Sequence, residues 1–196
     1  MTWQLYDDDG QRKYLNGAER KAFLAAAAAH PIPKIRTLCA VMLWTGCRVS
    51  EALALTADRV DMTEQVIVFE SLKKRRAGHY RAVPVPEALL SELRRIHHLP
   101  ILQARFDGRR GVRLWSQDRT SAWRHIKAVM EEAGITAGAR ATPRGLRHGF
   151  GVAAVSSGVP LNLARRWLGH AQISTTAIYA NVMGPEERSI AKKMWG

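Results

Sequence analysis

The sequence predicts a mainly helical protein with one small three-stranded antiparallel sheet, an α+β class, on three observations. Apolar residues recur at helical spacing through most of the chain. Three short stretches rich in Val and Ile, residues 59–62, 65–72 and 81–85, read instead as strands, with Thr63-Glu64 and Gly78 at the breaks. A hydrophobic content of 46% over 196 residues is enough for one full core, and neither an internal repeat nor a long linker divides it.

In chain order, residues 3–6 and 12–15 flank Asp7-Asp8-Asp9-Gly10 and predict a small hairpin. The acidic run is similar to a calcium loop, but Leu5 occupies the first ligand position and Asn16 the last, so it reads as a turn. Asn16 with Glu19 makes a capping-box start for an alanine-rich helix over 18–29, ended by His30-Pro31. A second helix over 34–45 places Ile35, Leu38, Cys39, Met42 and Leu43 in the core and stops at Gly46. Arg48 then lies in a tight connection before a helix that begins near Ser50. The run Lys73-Lys74-Arg75-Arg76 falls on the loop of the second hairpin, and reads either as a solvated basic loop or as a contact to phosphates. A helix over 86–98 turns Leu89, Leu90, Leu93 and Ile96 inward. After a Gly/Arg-rich surface link over 105–113 comes a helix over 120–133 with Trp123, Ile126 and Met130 inward and Arg124 and Lys127 as candidate phosphate contacts.

Thr142 as N-cap and Pro143 at the first helical position start the next helix, which runs to about Ser157. Leu146, Phe150 and Ala153 fall on its packing side. Arg144, Arg147 and His148, at spacings of three and four, share the other side and are expected to face a cleft. Two arginines at the positive end of a helix dipole suit a phosphate, against the plainer reading of a solvated basic helix end. A helix over 161–168 is stopped by Gly169 and leaves His170 on a loop. Ser174 is expected to cap a short helix carrying Tyr179, which reads as a nucleophile toward that phosphate or as a packing residue. Gly184-Pro185 precedes a last helix over 186–195.

Thirty Lys and Arg against seventeen Asp and Glu give a formal charge of +13, which calls for a polyanionic partner, nucleic acid before a membrane surface. No apolar run approaches a spanning helix and residues 1–24 lack a signal-peptide profile, so the protein is expected to be soluble and cytoplasmic. Cys39 and Cys47 read as buried thiols. The seven histidines form no metal motif.

The run RGLRHGFG, the triplet LGH and the tyrosine of TTAIY, nine residues past His170, resemble the C-terminal signature of the tyrosine recombinase (phage integrase) family. That signature is His-x-x-Arg, then Leu-Gly-His and a tyrosine. TGCRVSEALAL, residues 45–55, resembles the family's first box, whose catalytic arginine falls on Arg48. The family match outweighs the plain alternative, a structural Arg48–Glu51 salt bridge. Arg144 stands where most members have histidine.

The resemblance spans almost the whole chain and implies the family's catalytic-domain fold. It leaves no room for the N-terminal helical domain that full-sized members carry. The size is similar to that of the short recombinases that invert fimbrial-switch DNA; a fragment of a longer protein is the other expectation.

The implied reaction is site-specific cleavage and rejoining of double-stranded DNA, as in integration of mobile elements. Tyr179 attacks the phosphate, giving a 3′-phosphotyrosyl intermediate and a free 5′-hydroxyl. Arg48, Arg147 and His170 hold the non-bridging oxygens, and His148 braces the site. Lys73 protonates the leaving oxygen; Lys74 stays open because this loop is a few residues longer than the family's usual spacing. Arg144 cannot serve as a base and is expected to be a fixed donor to the phosphate. Since one phosphodiester replaces another, neither ATP nor metal is expected. The implied assembly is a tetramer on DNA, with accessory DNA-bending or directionality proteins and with residues 186–196 exchanged between protomers. A type IB topoisomerase and a non-catalytic DNA-binding protein on the same fold are the alternatives.

Overall fold

The computed structural model describes residues 5–71, 78–106, 108, 111–181 and 185–195. Their architecture is the expected one, helices around a three-stranded antiparallel sheet. The helices are α1 (Gly17–Ala29), α2 (Pro33–Thr45), α3 (Val49–Leu53), α4 (Glu87–His97), α5 (Leu99–Ala104), α6 (Arg119–Glu132), α7 (Pro143–Ser156), α8 (Leu161–Leu168), α9 (Ser174–Ala177) and α10 (Pro185–Trp195). Strands β1 (Val60–Asp61), β2 (Val66–Glu70) and β3 (Tyr80–Pro84) lie in the order β1-β2-β3. None of the described helices is long and apolar enough to cross a membrane.

Local chemistry sets the boundaries as the sequence suggests. The Asn16 side chain accepts from the Glu19 N–H at 2.8 Å while Glu19 accepts from the Asn16 N–H at 2.8 Å, closing the capping box of α1. The Thr142 hydroxyl accepts from the Gly145 N–H at 3.1 Å and starts α7. Of the N-terminal hairpin, the described residues contain a single bridge, Tyr6 to Arg12, around a turn in which Asp7 accepts from the Gln11 N–H. In the sheet Val60 pairs Ile67 and Glu70 pairs Tyr80. β2 ends at Glu70 rather than Leu72, and Lys73, Lys74, Arg75 and Arg76 lie outside the described residues.

Four readings are corrected. Trp123 points outward, 45% exposed, and Ala122, Ile126, Val129 and Met130 form the inner face of α6. In α4 it is His97, bonded to the Thr37 hydroxyl at 2.8 Å, that is buried, while Ile96 is only half-buried. His98, at φ 50°, ends α4 and starts α5, a helix the sequence reading did not separate. Finally, α7 has no open basic side. From Gly145 to Val152 every residue is buried, Arg147 and His148 included, and only Arg144 is exposed at the helix start. This follows from position: α7 packs against α1, α2, α6, α8 and α10, so almost every face meets protein.

Candidate active site

Four separate segments bring the sequence-derived residues together. Arg48 is the N-cap of α3, and its Nη1 donates to Glu51 Oε1 at 2.6 Å while its backbone N–H donates to Glu51 Oε2 at 2.9 Å. The structural Arg48–Glu51 salt bridge is therefore present. It leaves the Arg48 side chain 23% exposed, with Glu51 beneath it at 1%. Arg147 reaches across the site: Nη1 donates to the Gly46 carbonyl at 2.7 Å and Nη2 to the Leu168 carbonyl at 2.6 Å. These carbonyls sit two residues before Arg48 and two before His170, so one guanidinium pins both segments together.

Gly169 ends α8 at φ 67°, a left-handed turn that favours glycine, and delivers His170 into the site. His170 Nδ1 lies 2.9 Å from the Thr176 hydroxyl. Ser174 is the first residue of α9, not its cap, and Tyr179 lies beyond that helix in a 3₁₀ turn, Ile178–Asn181. Tyr179 is fully buried. Its ring stacks on His170 at 6.3 Å between centroids and lies over Gly151, where any Cβ would overlap it. Gly151 is the GFG glycine that makes room for the phenol.

The Tyr179 hydroxyl is 3.1 Å from His148 Nδ1, and Arg144 Nε is 3.3 Å from His148 Nε2. A guanidinium only donates, so Nε2 must be the acceptor, and a neutral His148 carries its proton on Nδ1, facing the phenol. Arg144 thus orients the ring that touches the nucleophile candidate. Lys127, a candidate phosphate contact, instead donates to the Ala141 carbonyl at 2.9 Å, while Arg124 is exposed.

Burial and the clustered cations set the protonation states. Burial, then the Arg144 and Arg147 charges, hold His148 down at about 4, and burial with Arg147 and Arg48 holds His170 at about 3. Both rings are neutral at pH 7. Burial pushes the Tyr179 phenol up to about 12, against the pull of Arg147, Arg144 and Arg48. Burial and the neighbouring Arg48 bring Arg147 to about 10, still charged at neutral pH. Burial alone would raise Glu51, but Arg81, the Arg48 N–H and the Arg48 charge together hold its carboxyl below the ordinary value.

Sequence reasoning missed Arg81 and Thr176. Arg81 is 7% exposed, and its Nη2 donates to Glu51 Oε2 at 2.7 Å. The signal was there: Arg81 shares the inward register of its strand with Val83, where a charge needs a reason.

Comparison with known proteins follows the same segments. The profile of the "Phage integrase family" matches residues 13–184. Tyrosine recombinase XerD of Bifidobacterium longum (strain NCC 2705) is 33% identical over 156 residues, covering 75% of this chain and 49% of the relative. The crystal structure of XerA recombinase superposes with a TM-score of 0.75 at 25% identity, over 93% of this chain and 65% of that one. XerH bound to its difH substrate shares the fold, with a TM-score of 0.70 at 19% identity over 97% and 60% of the two chains. The chain spans about half the length of the curated relatives it matches, 49% and 48% for two XerD proteins. A match that runs from before α1 to past Tyr179, through every segment that meets at Arg147, leaves one assignment: the chain belongs to the phage integrase family.

Proposed function

We propose that this chain is the catalytic domain of a site-specific DNA recombinase that cuts and rejoins double-stranded DNA through a 3′-phosphotyrosyl intermediate. The observation that carries the reading is the convergence of Arg48, Arg147, His170 and Tyr179, with Arg147 bonded to the main chain beside both Arg48 and His170. Tyr179 Oη forms a bond to phosphorus as the bond to the 5′ oxygen breaks. The phenolic proton passes to water as Tyr179 attacks, and Lys73 or Lys74 protonates the leaving oxygen. Arg147 spends one N–H of each terminal nitrogen on carbonyls, which leaves one on each, plus Nε–H, for phosphate oxygens. Arg48 adds its exposed edge. Each arginine is worth about 3 to 4 kcal/mol in the transition state, by analogy with removal of an oxyanion donor. His170 donates to the same oxygens, and the Nδ1–H of His148 stabilises the phenolate. No step calls for a cofactor.

Met194 and Trp195 at the end of α10 are 82% and 76% exposed, while Lys193 donates to the Ser156 carbonyl at 3.0 Å and ties the helix to the body. These exposed apolar groups support docking of the helix end on a neighbouring protomer, within a tetramer on DNA. The charge of +13 supports duplex DNA as the substrate, with Arg124 and residues 73–76 on phosphates.

The test is a duplex nicked beside the cleavage site, on which the cut strand cannot be rejoined, run on a denaturing gel. Wild type is expected to accumulate a covalent adduct and Tyr179→Phe none, with DNA binding nearly intact, because one hydroxyl contributes little beside many phosphate contacts. An adduct that persists in the variant reassigns the nucleophile, with Tyr80 next to test. Relaxation without exchange between two duplexes would make the protein a type IB topoisomerase, and no adduct at all a DNA-binding protein.

A further inference from the structure

Strand β3 alternates, with Arg81 and Val83 inward and Tyr80, Ala82 and Pro84 outward. A valine would serve packing at position 81 as it does at 83. The chain instead buries a guanidinium, with its side chain 5% exposed and its Nη1 without a partner among the described residues, an arrangement that costs stability. The other nitrogens are committed at short range: Nε donates to the Trp167 carbonyl at 2.7 Å and Nη2 to Glu51 Oε2 at 2.7 Å. The stem and Nη1 lie against Gly169, where a Cβ would stand 3.2 Å from both, and the guanidinium carbon is 5.1 Å from the Phe69 ring centre. Arg81 is therefore clamped between the end of α8, the sheet and Glu51.

Glu51 is the next link. Its two oxygens take both the backbone and the side chain of Arg48, so whatever fixes the carboxylate fixes the arginine. A carboxylate this buried stays ionised only beside a buried cation, and Arg81 is the more deeply buried of the two arginines it pairs with. We propose that Arg81 is a positioning residue for strand cleavage: anchored on the Trp167 carbonyl, it aims Glu51, and Glu51 holds Arg48 on the phosphate. The assignment rests on the recombinase reading and concerns a residue that touches no DNA.

The experiment is a double-mutant cycle of single-turnover cleavage on the nicked duplex at saturating protein, with Arg81→Met, Arg48→Lys and their combination. Arg81→Met is expected to slow cleavage about tenfold or more, with half-saturation on DNA and melting cooperativity unchanged. In the Arg48→Lys background the same change is expected to cost less than about threefold, since the geometry it protects is already lost. Arg81→Lys, which keeps a cation beside Glu51, is expected to recover part of the rate. A wild-type rate for Arg81→Met, or the same loss in both backgrounds, overturns the proposal, because a residue that only supports the fold costs the same whether or not Arg48 is intact. Should Arg81→Met fail to melt cooperatively, the same two-background comparison is read on Arg81→Lys. A wild type that forms no adduct removes the strand-cleavage reading and this proposal with it; a wild type that cleaves, with no coupling between positions 81 and 48, removes this proposal alone.

Discussion

Replacing Arg144 tests the chain that runs from an exposed guanidinium to a buried phenol. With Nε 3.3 Å from His148 Nε2, Arg144 fixes the tautomer whose Nδ1–H faces Tyr179 at 3.1 Å. Removing it frees the ring to carry its proton on Nε2 and to turn a lone pair toward the phenol. That arrangement accepts from the neutral phenol but offers the attacking phenolate no donor, and burial opposes the protonation of the ring that would restore one. The loss is one hydrogen bond to a charged oxygen, on the order of 1.5 to 3 kcal/mol if the tautomer switches fully, hence roughly tenfold or more in rate.

Arg144→Ala is expected to show that loss in single-turnover cleavage from pH 5.5 to 9, and Arg144→Lys to retain much of the rate. Arg144→His is expected to introduce a new ionisation near pH 6 to 7, because imidazole exchanges a proton there and guanidinium does not. The tautomer itself is read from the ¹⁵N shifts of His148, which should place the proton on Nδ1 in wild type. An alanine variant that matches wild type at every pH, or a His148 already protonated on Nε2 in wild type, would refute the reasoning.

Stability should fall in mild acid. Buried His97 and His148, both at about 4, and His170, at about 3, sit below the ordinary histidine value near 6.5, so the unfolded chain takes up protons first. Their contribution is complete above about pH 6.5 and drains away as pH falls toward 4, by about 1 to 2 kcal/mol per ring at pH 5; Glu51, also held low, adds in the same direction. A melting temperature unchanged between pH 8 and 5 would count against these neutral rings. Deleting residues 186–196 is expected to reduce recombination more than single-turnover cleavage, since Met194 and Trp195 are exposed; equal loss of both would mean that α10 only packs on its own protomer.

The candidate site was legible in the sequence through its resemblance to the family's motifs, and the residues those motifs name punctuate helices. Thr142-Pro143, Gly169 and the Gly46-Cys47-Arg48 connection each mark a boundary, and a boundary is where a short segment can aim a side chain. Burial was harder to read. The three-and-four spacing of Arg144, Arg147 and His148 suggested a basic face on a cleft, yet helical periodicity only says which residues share a side, and α7 meets protein all round. Trp123 was misplaced by the same limit: its helical spacing from Ile126 and Met130 put it on the apolar side, while Ala122 and Val129 complete that face of α6. The strand alternation could have flagged Arg81 as inward, but its partners, Glu51 and the Trp167 carbonyl, stand 30 and 86 positions away, a pairing that no local pattern encodes.

The grip on Arg147 has an evolutionary consequence. Both of its fixed partners are main-chain carbonyls, those of Gly46 and Leu168. A carbonyl is supplied by whatever residue occupies the position, so the orientation of this arginine does not depend on the side chains that hold it. Substitutions around it can drift so long as the turns keep their shape, and the site can change its surroundings without losing its aim. The constraint passes to the turn-forming glycines, Gly46 at φ 59° and Gly169 at φ 67°, whose backbone conformations set where those carbonyls point. Laboratory selection for altered DNA preference should therefore find almost no freedom at 46 and 169, and at 168 only apolar replacements that keep the core filled.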